Sequence, residues 1–248
     1  MNLLITIAVS HYCEKARWAL DWLKIPYIEE SHVPIFHRLT TGRYGAKSVP
    51  VLITATGVFK DSTDILHHID GTSQGQQHLY PTDPELRQEV EQLEELFDSK
   101  LGVHIRRWGY YYRGVDNRQA MREMWLGDAP KLEQVGFEIA FPVMSRLVRR
   151  VYDVSAANAA SSLQEIRQIF ELVGERLADD KRGYLVGDSF SAADLTFAAL
   201  AAPILQPKNH HNTKFLQKEI PPQVAEIVLE LRQTKAGKYA LRQYREQR

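Results

Sequence analysis

Apolar positions change their rhythm along this chain. Leu3 to Val9 is a continuous apolar run, the pattern of a strand covered on both faces. From Ser10 the period lengthens. Tyr12, Ala16, Ala19, Leu20 and Leu23 recur at three- and four-residue steps and predict an amphipathic helix, which Ile25-Pro26 stops. Tyr27 to Val33 predicts a second strand, and a helical crossover makes these two strands parallel. Ile35 to Tyr44 predicts one irregular helix. Val51 to Thr54 and Val58 to Lys60 predict two strands joined by a turn at Ala55-Thr56-Gly57. A short helix follows, capped by Asp61 or Ser62, with Ile65, Leu66 and Ile69 facing inward. The order over residues 1–72 is β-α-β-α-β-β-α.

Residues 73–84 are rich in Ser, Gln, Thr and Pro and predict a linker. Beyond it the strand period disappears. Glu85 to about Tyr112 predicts a long helix with Leu86, Val90, Leu93, Leu96 and Phe97 as its inner stripe. Phe137 to Tyr152 predicts a second, with Pro142 early in it. Leu163, Ile166, Ile169, Phe170, Val173 and Leu177 mark a third, S-F-S-A-A-D-L-T-F-A-A-L opens a fourth, and Val224, Ile227, Val228 and Leu231 mark a short late one. The expected fold class is an α/β unit (1–72), a linker (73–84) and an all-helical unit (85–248).

Composition narrows the function classes. The chain has 248 residues, 44% hydrophobic and 25% charged, which suits a soluble globular protein with a sizeable core. Lys plus Arg equals Asp plus Glu at 31 each, so the overall charge gives no reason to expect nucleic acid or an anionic membrane. The N-terminal apolar run has no basic region before it. It is too short for a signal peptide core and far below the ~20 residues of a membrane span. A single cysteine forms no internal disulfide, so a reducing compartment, the cytoplasm, is expected.

Candidate chemistry concentrates where the first strand meets the first helix, in S-H-Y-C-E-K-A-R-W. Backbone N–H groups are unpaired there and the helix dipole adds partial positive charge. Ser10 at that point is either a plain N-cap or a donor to an anion. Cys13 falls on the inner stripe with Ala16 and Leu20, as a small apolar filler does; a reactive thiol is the alternative. His11 is expected as a partly exposed side chain of the first turn. Ser191 and Asp194 have capping-box spacing, flanked by Phe190 and Leu195 as a hydrophobic staple, and are assigned to folding. The pairs His67-His68 and His210-His211 suggest metal binding only superficially. Adjacent helical residues point ~100° apart and no Cys/His framework surrounds either pair, so no metal is expected.

The order and spacing of S-H-Y-C-E-K-A-R-W-A-L, S-V-P-V-L, D-S-T-D-I-L and Y-L-V-G-D-S-F-S-A-A-D-L-T-F-A-A-L resemble the cytosolic glutathione transferases (GST), serine type, over nearly the whole chain. The resemblance implies a thioredoxin-like glutathione-binding domain followed by an all-helical domain. It implies a homodimer whose co-substrate is glutathione and whose second substrate is a small hydrophobic electrophile. Ser10 is then the catalytic hydroxyl beside the glutathione thiolate. His11 departs from the proline frequent at this position in serine- and cysteine-type relatives. The Val49–Pro50 bond is expected to be cis, with Val49 pairing the cysteinyl backbone of glutathione. Ser62 and its turn receive the γ-glutamyl carboxylate, Asp61 faces the ammonium group, and Lys47 takes the glycyl carboxylate, with His37 and Arg38 as weaker candidates. The electrophile pocket is expected around His104, Trp108 and Tyr111, with Arg107 and Tyr112 nearby. Two alternatives stay open: a glutathione-dependent thiol oxidoreductase acting through Cys13, and a non-catalytic binding or regulatory relative.

Overall fold

The computed structural model describes residues 1–73, 75, 77–177, 183–211 and 222–248. Its first part is a four-stranded sheet in the order β2-β1-β3-β4, built from β1 (Asn2–Thr6), β2 (Tyr27–Ser31), β3 (Val51–Ile53) and β4 (Val58–Phe59). β1 runs parallel to β2, with Leu4 opposite Glu29, and antiparallel to β3, with Leu4 opposite Leu52. Helix α1 (His11–Trp22) makes the crossover, α2 (His37–Thr41) runs into a 3-10 turn at Gly42–Tyr44, and α3 (Ser62–Thr72) comes after the hairpin. Both parallel strands end sooner than their apolar runs predict. Ser10 N–H donates to the Ile7 carbonyl at 3.1 Å and turns the chain after Thr6. Val33 N–H donates to Glu133 Oε2 at 2.8 Å instead of to a strand.

Within the predicted linker, residues 74 and 76 lie outside the described residues. Its last part is anchored: Leu79 and Tyr80 are buried, Leu79 N–H donates to Asp70 Oδ1 at 2.5 Å, and the Leu79 carbonyl accepts from Ala192 N–H at 2.8 Å. From there on every described element is helical. The long predicted helix is α4 (Pro84–Leu96) and α5 (Val103–Tyr112), joined by a π-helical turn at Phe97–Gly102. The apolar pattern predicts α7 (Lys131–Val151), α8 (Ala156–Arg176), α9 (Ala192–Leu205) and α10 (Pro222–Gln233) at least in part. Two helices escape it, α6 (Arg118–Trp125) and α11 (Lys235–Glu246). α7 begins six residues before Phe137, so Pro142 lies in its interior. Leu132, Val135, Ile139 and Val143 point to solvent, and the helix therefore shows no single apolar face to read.

Three apolar clusters lie among the described residues, the smallest around Ile5, Ala46 and Val51 on the sheet; two larger ones join the elements. The larger joins α1 and α3 to α4, α5, α8, α9 and α11, with Trp18, Phe97, Phe170 and Phe197 inside. The smaller lies under the α6–α7 hairpin, around Met121, Trp125, Phe137 and Phe141, and reaches Val33 after β2. The Ser191–Asp194 spacing is structural. Asp194 Oδ2 accepts from Ser191 N–H at 2.7 Å and from Ser191 Oγ at 2.8 Å, while Oδ1 accepts from Leu185 N–H at 2.8 Å and from the Tyr239 hydroxyl.

Candidate active site

A cleft of about 250 Å³ opens where the sheet-bearing part faces the helices. Its near wall is the turn after β1, the start of α1 and the segment before β3. Its far wall is α5 with the α6–α7 hairpin. Ser10 lies on the near wall as the N-cap of α1, in extended conformation, and its Oγ accepts from Cys13 N–H at 3.3 Å. That bond occupies a lone pair. The hydroxyl is also within reach of the Cys13 thiol beneath it.

Cys13 is fully buried and does not line the cleft. Burial pushes its thiol above the ordinary value, against the pull of Arg17 and of the bond from Ser10. A thiol kept protonated and out of reach is a poor nucleophile.

His11 overturns the expectation of an exposed first-turn side chain. It is 5% exposed, and its Nε2 donates to the Gly102 carbonyl at 3.1 Å. Burial, then the Arg106 charge, pulls its pKa down to about 3, so the ring is neutral at pH 7. The physical reason is the close approach of the π turn, which covers the start of α1. Tyr12 donates to the Asp98 carbonyl in the same turn at 2.7 Å.

Val49 and Lys47 also line the near wall, with His37 and Arg38, and the Val49–Pro50 bond is cis. Asp61 caps α3, accepting from Thr63 N–H at 2.9 Å, and Ser62 is buried behind it. These two residues stand outside the ring of side chains that line the cleft, although Asp61 is close enough to Tyr12 to act on its ionisation. Thr63 ties the tip of α3 to a buried charge cluster. Lys15 Nζ lies 2.8 Å from Glu94 and 2.5 Å from Asp98, and Thr63 Oγ1 lies 3.0 Å from a carboxylate oxygen of each.

The far wall needs a correction. His104, Trp108 and Tyr111 do not line the cleft. His104 Nδ1 bonds Ser162 Oγ at 3.1 Å, Trp108 is buried against Tyr112, and Tyr111 faces solvent. Ile105, Arg106, Gly109, Tyr110 and Arg113 line it instead. From the π turn onward the buried row runs through Leu101, Ile105 and Trp108, which places Trp108 in the core. Arg107 acts indirectly: its Nε donates to the Tyr152 carbonyl at 2.9 Å and pins the end of α7 to α5. The wall is completed by Met124, Leu147, Val148, Val151 and Tyr152, which belong to a hairpin the apolar pattern half conceals.

The histidine pairs separate. His67 stacks on Tyr80 and His68 on Phe59, while His210 is buried at the cleft. Among the described residues, no three His, Cys, Asp or Glu gather as metal ligands, and no helix is long and apolar enough to cross a membrane.

Both parts of the chain have known counterparts. Residues 4–77 match the family model of the glutathione S-transferase N-terminal domain, and residues 131–215 match that of the C-terminal domain. No curated protein matches the chain by sequence. Among solved structures, the beta-etherase LigF from Sphingobium sp. strain SYK-6 is similar at TM-score 0.62 and 16% identity, over 98% of this chain and 99% of that one. A glutathione S-transferase from Rhodospirillum rubrum F11 gives 0.59 and 16%, over 100% and 99%. A glutathione S-transferase from Methylobacillus flagellatus KT, with glutathione bound, gives 0.54 and 18%, over 97% and 98%. At these identities the likeness is one of fold.

Proposed function

This chain belongs to the glutathione S-transferase superfamily, and from that membership we propose that it is a serine-type transferase joining glutathione to a small hydrophobic electrophile. The observation that carries the reading is the contrast at the start of α1. Ser10 lines the cleft, whereas Cys13 is sealed beneath it. Glutathione lies along the near wall. Val49 pairs its cysteinyl backbone in the manner of an added strand, Lys47 meets the glycyl carboxylate, and the tip of α3, with Asp61 and Ser62, receives the γ-glutamyl end. The sulfur then reaches the N-terminus of α1. Positive dipole and the Ser10 hydroxyl favour its thiolate. The thiolate attacks the electrophile held against α5 and the α6–α7 hairpin. A carbon–sulfur bond forms, and the leaving group departs with its electron pair.

A reducing compartment such as the cytoplasm fits the single buried thiol. The homodimer belongs to the same proposal, and the exposed apolar stripe of α7 offers a surface for a second copy to cover.

The test is a glutathione titration followed in the ultraviolet, where a thiolate absorbs and a thiol does not, together with conjugation of a halodinitrobenzene. The bound thiol is expected to ionise roughly one unit or more below free glutathione. Ser10→Gly retains most of the capping, yet it is expected to lose on the order of 100-fold in kcat/KM, the scale of one charge-stabilising donor. Cys13→Ala keeps most of the activity. The reverse pattern in the two variants favours the oxidoreductase, and absence of glutathione binding in calorimetry favours the non-catalytic module.

A further inference from the structure

Arg106 lines the far wall of the cleft from α5. The Arg106 guanidinium lies 4.2 Å over the Tyr152 ring and 5.7 Å from the Tyr12 ring. Among the described residues no carboxylate pairs with Arg106, and its Nε is buried without a hydrogen-bond partner. None of the cleft-lining residues is Asp or Glu. Stacking on tyrosines steadies the guanidinium but gives its buried Nε no acceptor. This arrangement is favourable when an anion shares the cleft.

Glutathione does not account for that anion. Its carboxylates are met from the near wall and the tip of α3, and only its sulfur points across. Beside Arg106 the far wall carries two aromatic rings and several aliphatic side chains. Tyr110 and Tyr152 stack at 5.5 Å and 8°, and Ile35, Ile105, Leu147 and Val151 complete the lining.

We propose that the second substrate is a small aromatic acid, its ring held among Tyr110, Tyr152 and the aliphatic wall, and its carboxylate received by Arg106 in a charge-assisted hydrogen bond. This rests on the transferase reading above and names the substrate class for the same site.

A matched pair of electrophiles tests it: 4-chloro-3,5-dinitrobenzoate and its methyl ester. In both, the thiolate adds to the ring carbon bearing chlorine, the carbon–sulfur bond forms, and chloride leaves with the bonding pair. The thiol proton has already gone to solvent. With each kcat/KM divided by its uncatalysed rate, the wild-type protein is expected to prefer the acid at least tenfold. Arg106→Gln cuts that preference at least tenfold, and Arg106→Lys restores part of it. No preference in the wild type overturns the proposal. So does an Arg106→Gln variant that slows acid and ester equally, because that result assigns the guanidinium to the sulfur.

Binding of unreactive 3,5-dinitrobenzoate and its methyl ester to the wild-type protein, read by tryptophan fluorescence, needs no variant. The acid is expected to bind at least tenfold tighter, and less so in high salt; equal binding overturns the proposal. If calorimetry finds no glutathione binding while the acid is still preferred, the transferase reading fails and the anion subsite stands. If glutathione binds and conjugates without acid preference, the subsite alone fails.

Discussion

Ser10 and His11 are neighbours with opposite freedoms. The serine lines the cleft. The histidine is sealed by the π turn and bonded to the Gly102 carbonyl. The confinement of His11 has a measurable cost in acid. Its imidazole takes a proton near pH 6.5 in the unfolded chain and near 3 in the fold, because burial and then Arg106 disfavour the cation. Between those values the unfolded state holds the extra proton, so stability falls as pH falls. His11→Gln keeps a donor for the carbonyl and removes the titration. Urea unfolding between pH 4 and 6 is expected to give the wild type a slope steeper by about 1.4 kcal/mol per pH unit than the variant. Equal slopes refute the neutral, buried ring. At this scale Ser10 is legible, because a hydroxyl at a strand-to-helix junction is a local signal. The burial of His11 is not, because it depends on Gly102, ninety-one residues away.

The π turn is the element on which the site's geometry depends. It offers the carbonyls of Asp98 and Gly102 to Tyr12 and His11, and so fastens α5 to the first turn of α1. A Cβ at Gly102 would overlap the Tyr12 hydroxyl, sit 2.7 Å from Tyr12 Cζ and lie 3.3 Å from His11 Nε2. Helix propensity alone would make Gly102→Ala stabilising by ~1 kcal/mol. Overpacking costs ~1–3 kcal/mol, and the clash wins because Tyr12 is held at both ends. Gly102→Ala is therefore expected to lower the urea midpoint and to weaken glutathione binding in calorimetry, since the tip of α1 has to move. A variant more stable than the wild type, with unchanged affinity, would show that the ring has room.

The strands are readable as short apolar runs, and α1 and the long α4–α5 line by apolar residues at helical spacing. α6 escapes because its eight residues are half polar, and its buried Met121, Met124 and Trp125 are too few to show a period. α11 is hidden by alternating charge around Tyr239, Ala240 and Tyr244. His104, Trp108 and Tyr111 are expected at the pocket from a cluster of aromatic and basic side chains near the helix's end, and such a cluster does not say which face meets the cleft. Phe97, Leu101, Ile105 and Trp108 do form a buried row at 4-4-3 spacing, and that row places Trp108 in the core.

On the scale of the molecule, α1 holds both parts together as well as presenting Ser10. Its inner face carries Lys15 to Glu94 and Asp98, and Trp18 Nε1 donates to the Gln247 carbonyl at 3.0 Å. Glu14, fully buried, meets Arg248 at 2.9 Å, and Arg248 also reaches Asp21 at 2.6 Å. Burial opposes the charge on Glu14, but His210, Arg248 and Arg17 outweigh it and hold the carboxyl below its ordinary value. A depressed acid contributes stability above the unfolded value of 4.5 and loses it as pH falls through the folded one. Arg248→Ala leaves a buried carboxylate short of a partner, at a cost of ~3–5 kcal/mol near neutrality. In acid, Glu14 of the variant is protonated and needs no partner, so the cost shrinks. Unfolding of both proteins at pH 7 and near pH 4 measures that difference. Glu14→Gln combined with Arg248→Ala is expected to recover part of the loss, because the two residues share one interaction. A loss independent of pH, or strictly additive variants, would mean that Arg248 acts by packing alone. The helix that presents the hydroxyl would then be held by its apolar face rather than by its charges.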